Sequence, residues 1–211
     1  MRNVILDRPN LADSLAERAV GERRDRYADE VRRLVDAAYE VMRAAGDLDP
    51  RVADVVRTAG LSNQAFYRHF ASKDALLLAV LTDGQERLLA TLTTRMERVG
   101  PGAPAVAAWI EGVMAQARNR EAAENTRPFA VHGRRLADRF PDEWARSRAA
   151  LVAPLRAALA EAGADPDRAP DISHLAMGHM EDALTLRRRP TATEVDAIVD
   201  FAMKGAGLVR T

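Results

Sequence analysis

An all-α fold is predicted for this 211-residue chain by three observations. Ala, Leu, Glu and Arg, the strong helix formers, dominate the composition. Apolar residues recur three and four apart, and no segment alternates as a strand would. Gly, Pro, Ser and Asp stand where helices would start and stop. Hydrophobic residues make up 47% of the chain and aromatics only 5%, ample for a core built of aliphatic side chains. The formal net charge is zero, which removes any global signature of polyanion binding. The absence of cysteine excludes disulfides and thiolate metal sites. No secretory signal and no apolar run of about 18 residues is visible, so the expected compartment is the cytoplasm. No GxSxG, HExxH, P-loop or GxGxxG motif is present, and the carboxylates are dispersed as on a solvated surface, so no enzyme is expected.

Residues 1–25 form an extension of mixed charge, in which "ADSLAERAVGERRDR" can be helical. Val31, Leu34, Val35, Ala38 and Met42 then mark a first helix ending near Gly46. In "LDPRVADVVRTAG", Asp49 is placed to cap a second helix, Pro50 suits its first position and Gly60 ends it. Ser62 caps a third helix, with Phe66 and Phe70 on its buried side. Ser72 caps a fourth that runs to "GPGAP" at 100–104. Further helices are expected near 104–121, 126–139, 141–163, 171–188 and 193–206, punctuated by Pro128, Pro141, Pro166, Pro170 and Pro190. Pro154 falls inside a helical pattern and predicts a kink. Thr193 and Asp196 are spaced as a capping box, and Arg187, Arg188 and Arg189 stand at a helix end where the dipole favours cations.

The stretch "LSNQAFYRHFASKD" at 61–74 is unusual. Residues 1–74 hold thirteen bases and thirteen acids, yet 62–73 contain Arg68 and Lys73 and no acid. Two short helices joined across "TAGLS" form a helix-turn-helix candidate, with Gly60 supplying the left-handed residue of the turn. Burying Phe66 and Phe70 exposes Asn63, Gln64, Tyr67 and Arg68. Asn and Gln can bind adenine bidentately and Arg can bind guanine likewise. Tyr67, His69 and Lys73 suit phosphate oxygens. Lys73 opposes the dipole of the helix it starts, unless a phosphate docks on the same terminus.

The segment "RRLVDAAYEVMRAAG…VADVVRTAGLSNQAFYRHFASKDALLLAVL" resembles the N-terminal domain of the TetR family of transcriptional regulators over residues 26–81. The Gly-hydrophobic-Ser, Tyr-x-His-Phe and Ser-Lys-acid-Ala-Leu runs carry the likeness. The resemblance implies an all-α homodimer. A three-helix helix-turn-helix DNA-binding domain, residues 26–74, would precede a helical ligand-binding and dimerisation domain, residues 75–211. By position, Asn63, Gln64 and Ala65 would face bases, with Arg68 beside them, and Tyr67, His69 and Lys73 would face phosphates. Three positions depart from the family pattern. Arg51 stands where Thr is usual and can add a phosphate contact; Val56 stands where a small residue is usual; and Asp47 replaces a frequent aromatic. The Arg-rich "ERAVGERRDR" could reach the minor groove or remain a solvated helix.

The resemblance implies a small-molecule effector in the C-terminal half and no cofactor. Trp109, Met114, Phe129, Trp144 and Met177 are large apolar residues that could line a pocket or simply fill the core. His132 could serve as a polar anchor, with Arg127, Arg134, Arg135 and Arg139 nearby to draw an anionic ligand or to form a solvated face. His174 and His179, five apart and without cysteine, predict no metal site. Ile172, Leu175, Ala176, His179, Met180, Ala183 and Leu184 form one stripe, and Val195, Ile198, Val199 and Ala202 another. Both could serve a dimer interface and an intramolecular core. The leading expectation is a repressor bound as a dimer to a near-palindromic double-stranded DNA operator and released by an effector. The alternative is an architectural DNA binder without an inducer, which zero net charge disfavours.

Overall fold

The computed structural model describes residues 11–209. These form nine α-helices and one 3-10 turn, with no strand among the described residues. Helix α1 spans Leu11–Ala45, α2 Val52–Ala59, α3 Asn63–His69 and α4 Lys73–Val99. Then follow α5 Ala103–Arg118, α6 Arg120–Arg139, α7 Pro141–Glu161, the 3-10 turn Pro166–Arg168, α8 Ala169–Thr185 and α9 Ala192–Gly205. The part of the N-terminal extension from Leu11 onward is continuous with α1 and largely exposed. Residues 1–10 of that extension lie outside the described residues.

The helices bury two hydrophobic clusters. The first gathers Leu34, Ala38 and Met42 of α1, Val55 and Val56 of α2, Phe66 and Phe70 around α3, and Leu76, Leu77, Val80 and Leu81 of α4. The second is centred on α5, with Trp109, Ile110, Val113 and Met114 against Leu155 and Leu159 of α7, Ala176 and Met180 of α8, and Val199 of α9. Helix α4 is common to both: its first two turns enter the N-terminal cluster, and Leu92 and Met96 enter the second. Packing therefore runs across the boundary expected at residue 74. Leu136 of α6 is also buried in the N-terminal cluster, so α6 seals the two parts together.

Close approach along α4 rests on two glycines. A Cβ at Gly84 would sit 2.7 Å from the Tyr39 hydroxyl, which donates to the Val80 carbonyl at 2.8 Å and so ties α1 to α4. Burial of that phenol pushes its pKa well above the usual value. Gly112 of α5 faces α4, where a Cβ would meet Leu92 Cδ2 at 2.5 Å and Arg95 Cδ at 3.2 Å.

Local capping differs from expectation at four places. Asp49 does not cap α2. Pro50 holds it in an extended segment, α2 begins only at Val52, and its N-cap Arg51 makes no side-chain cap bond. The capping box of α9 is formed by Thr191 and Glu194 rather than Thr193 and Asp196, because α9 begins at Ala192. Pro128 lies inside α6, not at its start, since Asn119 caps that helix eight residues earlier by accepting from the Ala122 N–H at 3.1 Å. Helix α8 closes before the arginines: Leu186 caps it, Arg187 adopts φ +52°, and the Arg187 and Arg188 N–H groups return to the carbonyls of Leu184 and Ala183. Pro154 lies inside α7 as expected.

A methyl group at position 112 must displace the fully buried Leu92, so Gly112→Ala should destabilise the fold by about 1–3 kcal/mol. Urea unfolding at neutral pH measures this, with no loss expected for a Gly-to-Ala change at the open position Gly178.

Candidate nucleic-acid interface

Helix α3 has seven residues, too few to persist alone. Its geometry is imposed at both ends. Ser62 Oγ accepts from the Ala65 N–H at 3.1 Å, and Phe66, with no exposed surface, anchors the middle. The turn before it is closed by Gly60 at φ +62°, with the Leu61 N–H bonded to the Val56 carbonyl at 2.9 Å. Arg33 of α1 completes that turn. Its Nη2 donates to the Ala59 carbonyl at 2.5 Å and to the Gly60 carbonyl at 3.3 Å. Val56 is accommodated within the core despite its bulk.

The outward face of α3 presents Asn63, Gln64, Tyr67 and Arg68, all exposed, with Tyr67 at 61%. Arg51 is exposed one helix earlier. Lys73 opens α4 beside Ser72, whose Oγ accepts from the Ala75 N–H at 3.2 Å.

Two residues expected at the interface turn elsewhere. Ala65 is only 6% exposed and packs inward beside Phe66, because the cap that starts α3 rotates position 65 toward the core. The His69 side chain has no exposed surface. Its Nε2 lies 2.6 Å from Glu30 Oε2, and its ring meets Tyr27 edge-on with centroids 4.4 Å apart. Its Nδ1 is buried without a partner. In this geometry His69 joins α3 to α1 instead of reaching toward phosphate.

Acids missing from 62–73 arrive from elsewhere in the chain. Glu30 of α1 receives both His69 and the guanidinium of Arg68. Asp49 accepts from Lys73 Nζ at 2.6 Å. Asp74 is paired with Arg139 of α6. The hydrogen bond from His69, then that from Arg68, holds the Glu30 carboxyl below the ordinary carboxylate range. Lys73 does the same for Asp49. Arg33, Glu30 and Asp49 are the residues that sequence reasoning missed here. No short-range spacing signals them, since their partners lie 24 to 39 positions away.

The residues expected to line an effector pocket are divided between the two cores. Trp109, Met114 and Met177 are buried in the C-terminal cluster, and Trp109 Nε1 donates to the Leu151 carbonyl at 3.1 Å. Phe129 and Trp144 pack against the N-terminal cluster. His132 lies with them at the seam, 3.6 Å from Asp47. The arginines around it are also engaged: Arg127 donates to the Leu184 carbonyl at 2.9 Å, Arg135 approaches Asp47, and Arg139 holds Asp74. This strip binds the two parts of the chain together.

Much of the expected dimer stripe is likewise internal. Ile172, Ala176, Met180, Ala183, Leu184, Val195, Val199 and Ala202 are buried within the single chain. Leu175 and Ile198 are half-buried and His179 is exposed. Phe201, on the outer side of α9, is 69% exposed.

Comparison with known proteins agrees with this geometry. Residues 34–80 match the family model of bacterial regulatory proteins, tetR family. That span covers α2, α3, the turn between them and the flanking parts of α1 and α4. The chain belongs to the TetR family of transcriptional regulators. No curated protein matches it. Its fold resembles a transcriptional regulator from Rhodococcus sp. Rha1 at 22% identity, covering 85% of this chain and 99% of that one, with a TM-score of 0.66. It also resembles Salmonella enterica GusR at 18% identity, covering 84% and 95%, with a TM-score of 0.64. The R. erythropolis transcriptional repressor QsdR, from the TetR family, is similar at 21% identity over 86% and 96%, with a TM-score of 0.55. Membership identifies a non-enzymatic DNA-binding regulator. Among the described residues, no helix is long and apolar enough to cross a membrane, and no cluster of three or more His, Cys, Asp or Glu could hold a metal.

The lowered carboxyls set a pH dependence. A carboxyl whose folded pKa is depressed contributes stability that is fully present above its unfolded value, near 4.3 for glutamate, and lost as pH falls through the folded value. Glu30→Gln should therefore lower the urea midpoint at pH 7, and the gap from wild type should narrow at pH 3. An equal gap at both pH values would contradict the pairing of Glu30 with His69 and Arg68.

Proposed function

We propose that this TetR-family regulator is a repressor that binds a near-palindromic operator as a homodimer and is released by a small molecule. The outward face of α3 carries the reading. Asn63, Gln64 and Arg68 are assigned to base edges, and Arg51, Tyr67 and Lys73 to phosphates. Ala65 and His69 support this surface from beneath. Lys73 and Arg68 are held by Asp49 and Glu30 in the free protein. Exposed pairs of this kind contribute only about 0–1 kcal/mol, so a phosphate or base edge can replace the carboxylate at small cost.

A dimer is supported by the outer surface of α8 and α9, where Phe201, Leu175 and Ile198 offer apolar area. Joining these helices with those of a second copy gives a four-helix, isologous contact. Two copies of α3 would then address half-sites about one helical turn apart or somewhat more. An effector can release the operator only by favouring a conformation with a different spacing. Helix α4, which enters both cores, is the element that could carry that difference.

Fluorescence anisotropy with labelled duplexes tests the DNA assignment. Tyr67→Ala and Lys73→Ala should weaken binding to every sequence, and Lys73→Ala should lower the salt slope by about one unit. Gln64→Ala should change which sequence is preferred, by about 1–3 kcal/mol at one position. Unchanged binding in all three variants would sink the docking assignment. For the dimer, light scattering should show Phe201→Lys shifted to monomer, with operator affinity reduced in parallel; a variant that stays dimeric places the interface elsewhere.

A further inference from the structure

Three arginines from distant parts of the chain converge on one cleft in the C-terminal half. Arg95 comes from α4, Arg118 from the last turn of α5, and Arg189 from the α8–α9 connection. The cleft has a volume of about 420 Å³, with Asp196 of α9 and Glu111 of α5 on its walls. It is separate from the seam around His132, whose arginines already hold Asp47, Asp74 and the Leu184 carbonyl.

Two details make this more than a patch of surface charge. Gly112 leaves no side chain between α4 and α5, so the Arg95 stem lies flat on α5, with its Cδ 3.2 Å from where a Cβ would stand. Arg118 Nε is buried and has no hydrogen-bond acceptor. A buried N–H without an acceptor is unfavourable, and Nε forms one side of the guanidinium fork that takes a carboxylate through two parallel bonds. The remaining walls are polar or small, so a large apolar ligand finds little surface. Two carboxylates facing three guanidiniums oppose a highly charged anion and leave acceptors for ligand hydroxyls.

We infer that this cleft binds a small hydroxylated organic acid, with its carboxylate on Arg118 and Arg189 and its hydroxyl groups toward Asp196 or Glu111. Occupancy links Arg95 on α4 to α5 and to the α8–α9 connection. Since α4 begins beside the recognition helix, the same occupancy bears on α3. This consequence rests on the proposal that the C-terminal half senses a small molecule; binding itself does not.

Isothermal titration of the full chain with L-malate and citrate, at matched ionic strength and with neutral malamide as control, tests the cleft. Malate or citrate should bind and malamide should not. Arg118→Gln and the exposed Arg189→Gln should each weaken binding by about tenfold or more. Arg156→Gln, at a remote exposed pair with Asp167, should leave it unchanged. Absence of carboxylate binding, equal binding of malamide, or affinity unaltered in both cleft variants overturns the inference. Operator release, measured on the same samples, separates the two readings. Carboxylate binding that depends on Arg118 and Arg189 but leaves operator affinity unchanged upholds the cleft and removes its role as sensor. Release by malate or citrate that persists in both variants overturns the cleft and leaves the sensing half in place.

Discussion

Burial of Phe66 is the constraint on which the DNA-binding surface depends. A seven-residue helix has almost no stability of its own. Fully burying a phenylalanine contributes about 1.5–3 kcal/mol, and Phe66 has no exposed surface. Once that ring is seated among α1, α2 and α4, the helical period decides which residues point outward. Asn63, Gln64, Tyr67 and Arg68 are exposed because they stand opposite the anchor. The Ser62 cap and the Gly60 turn refine this arrangement, and Arg33 secures it by bonding two carbonyls that end α2.

Electrostatics around α3 is best understood as exchange. The helix carries no acid, yet its cations are not left alone. Glu30 and Asp49, from α1 and the loop after it, hold Arg68 and Lys73 until something more strongly anionic arrives. Such partners lower the self-repulsion of a cationic surface in the free protein and demand little when displaced. His69 is different in kind: buried between Tyr27 and Glu30, it links the recognition helix to α1.

The two halves of the chain share a helix and a seam. Helix α4 contributes to both cores, and the basic strip of α6 holds Asp47 and Asp74. This explains why the arginines near His132 looked like a ligand site in the sequence. Clustered cations signal an anion, and only the folded chain reveals that the anions are its own. A change in the C-terminal half therefore has two mechanical routes to α3, through α4 directly and through α6.

The sequence by itself determined the all-α class, most helix positions, the Ser62 and Ser72 caps, the Gly60 turn and the buried pair Phe66 and Phe70. These depend on interactions within a few residues, which periodicity and capping chemistry report. The short-range signals failed where two candidates competed nearby. Thr191 with Glu194 prevailed over Thr193 with Asp196 because the helix starts at Ala192 and the longer glutamate reaches back to the cap N–H. Tertiary structure alone decided what each buried stripe faces. Ile172 or Val199 at helical spacing must be covered, but the spacing does not say whether the same chain or a second copy does so. The same holds for Trp109, which fills the core, and for Arg95, Arg118 and Arg189, which lie far apart in the sequence and meet only when α4, α5 and the α8–α9 connection pack together. Long-range pairing is a property of packing geometry, and no local pattern of residues encodes it.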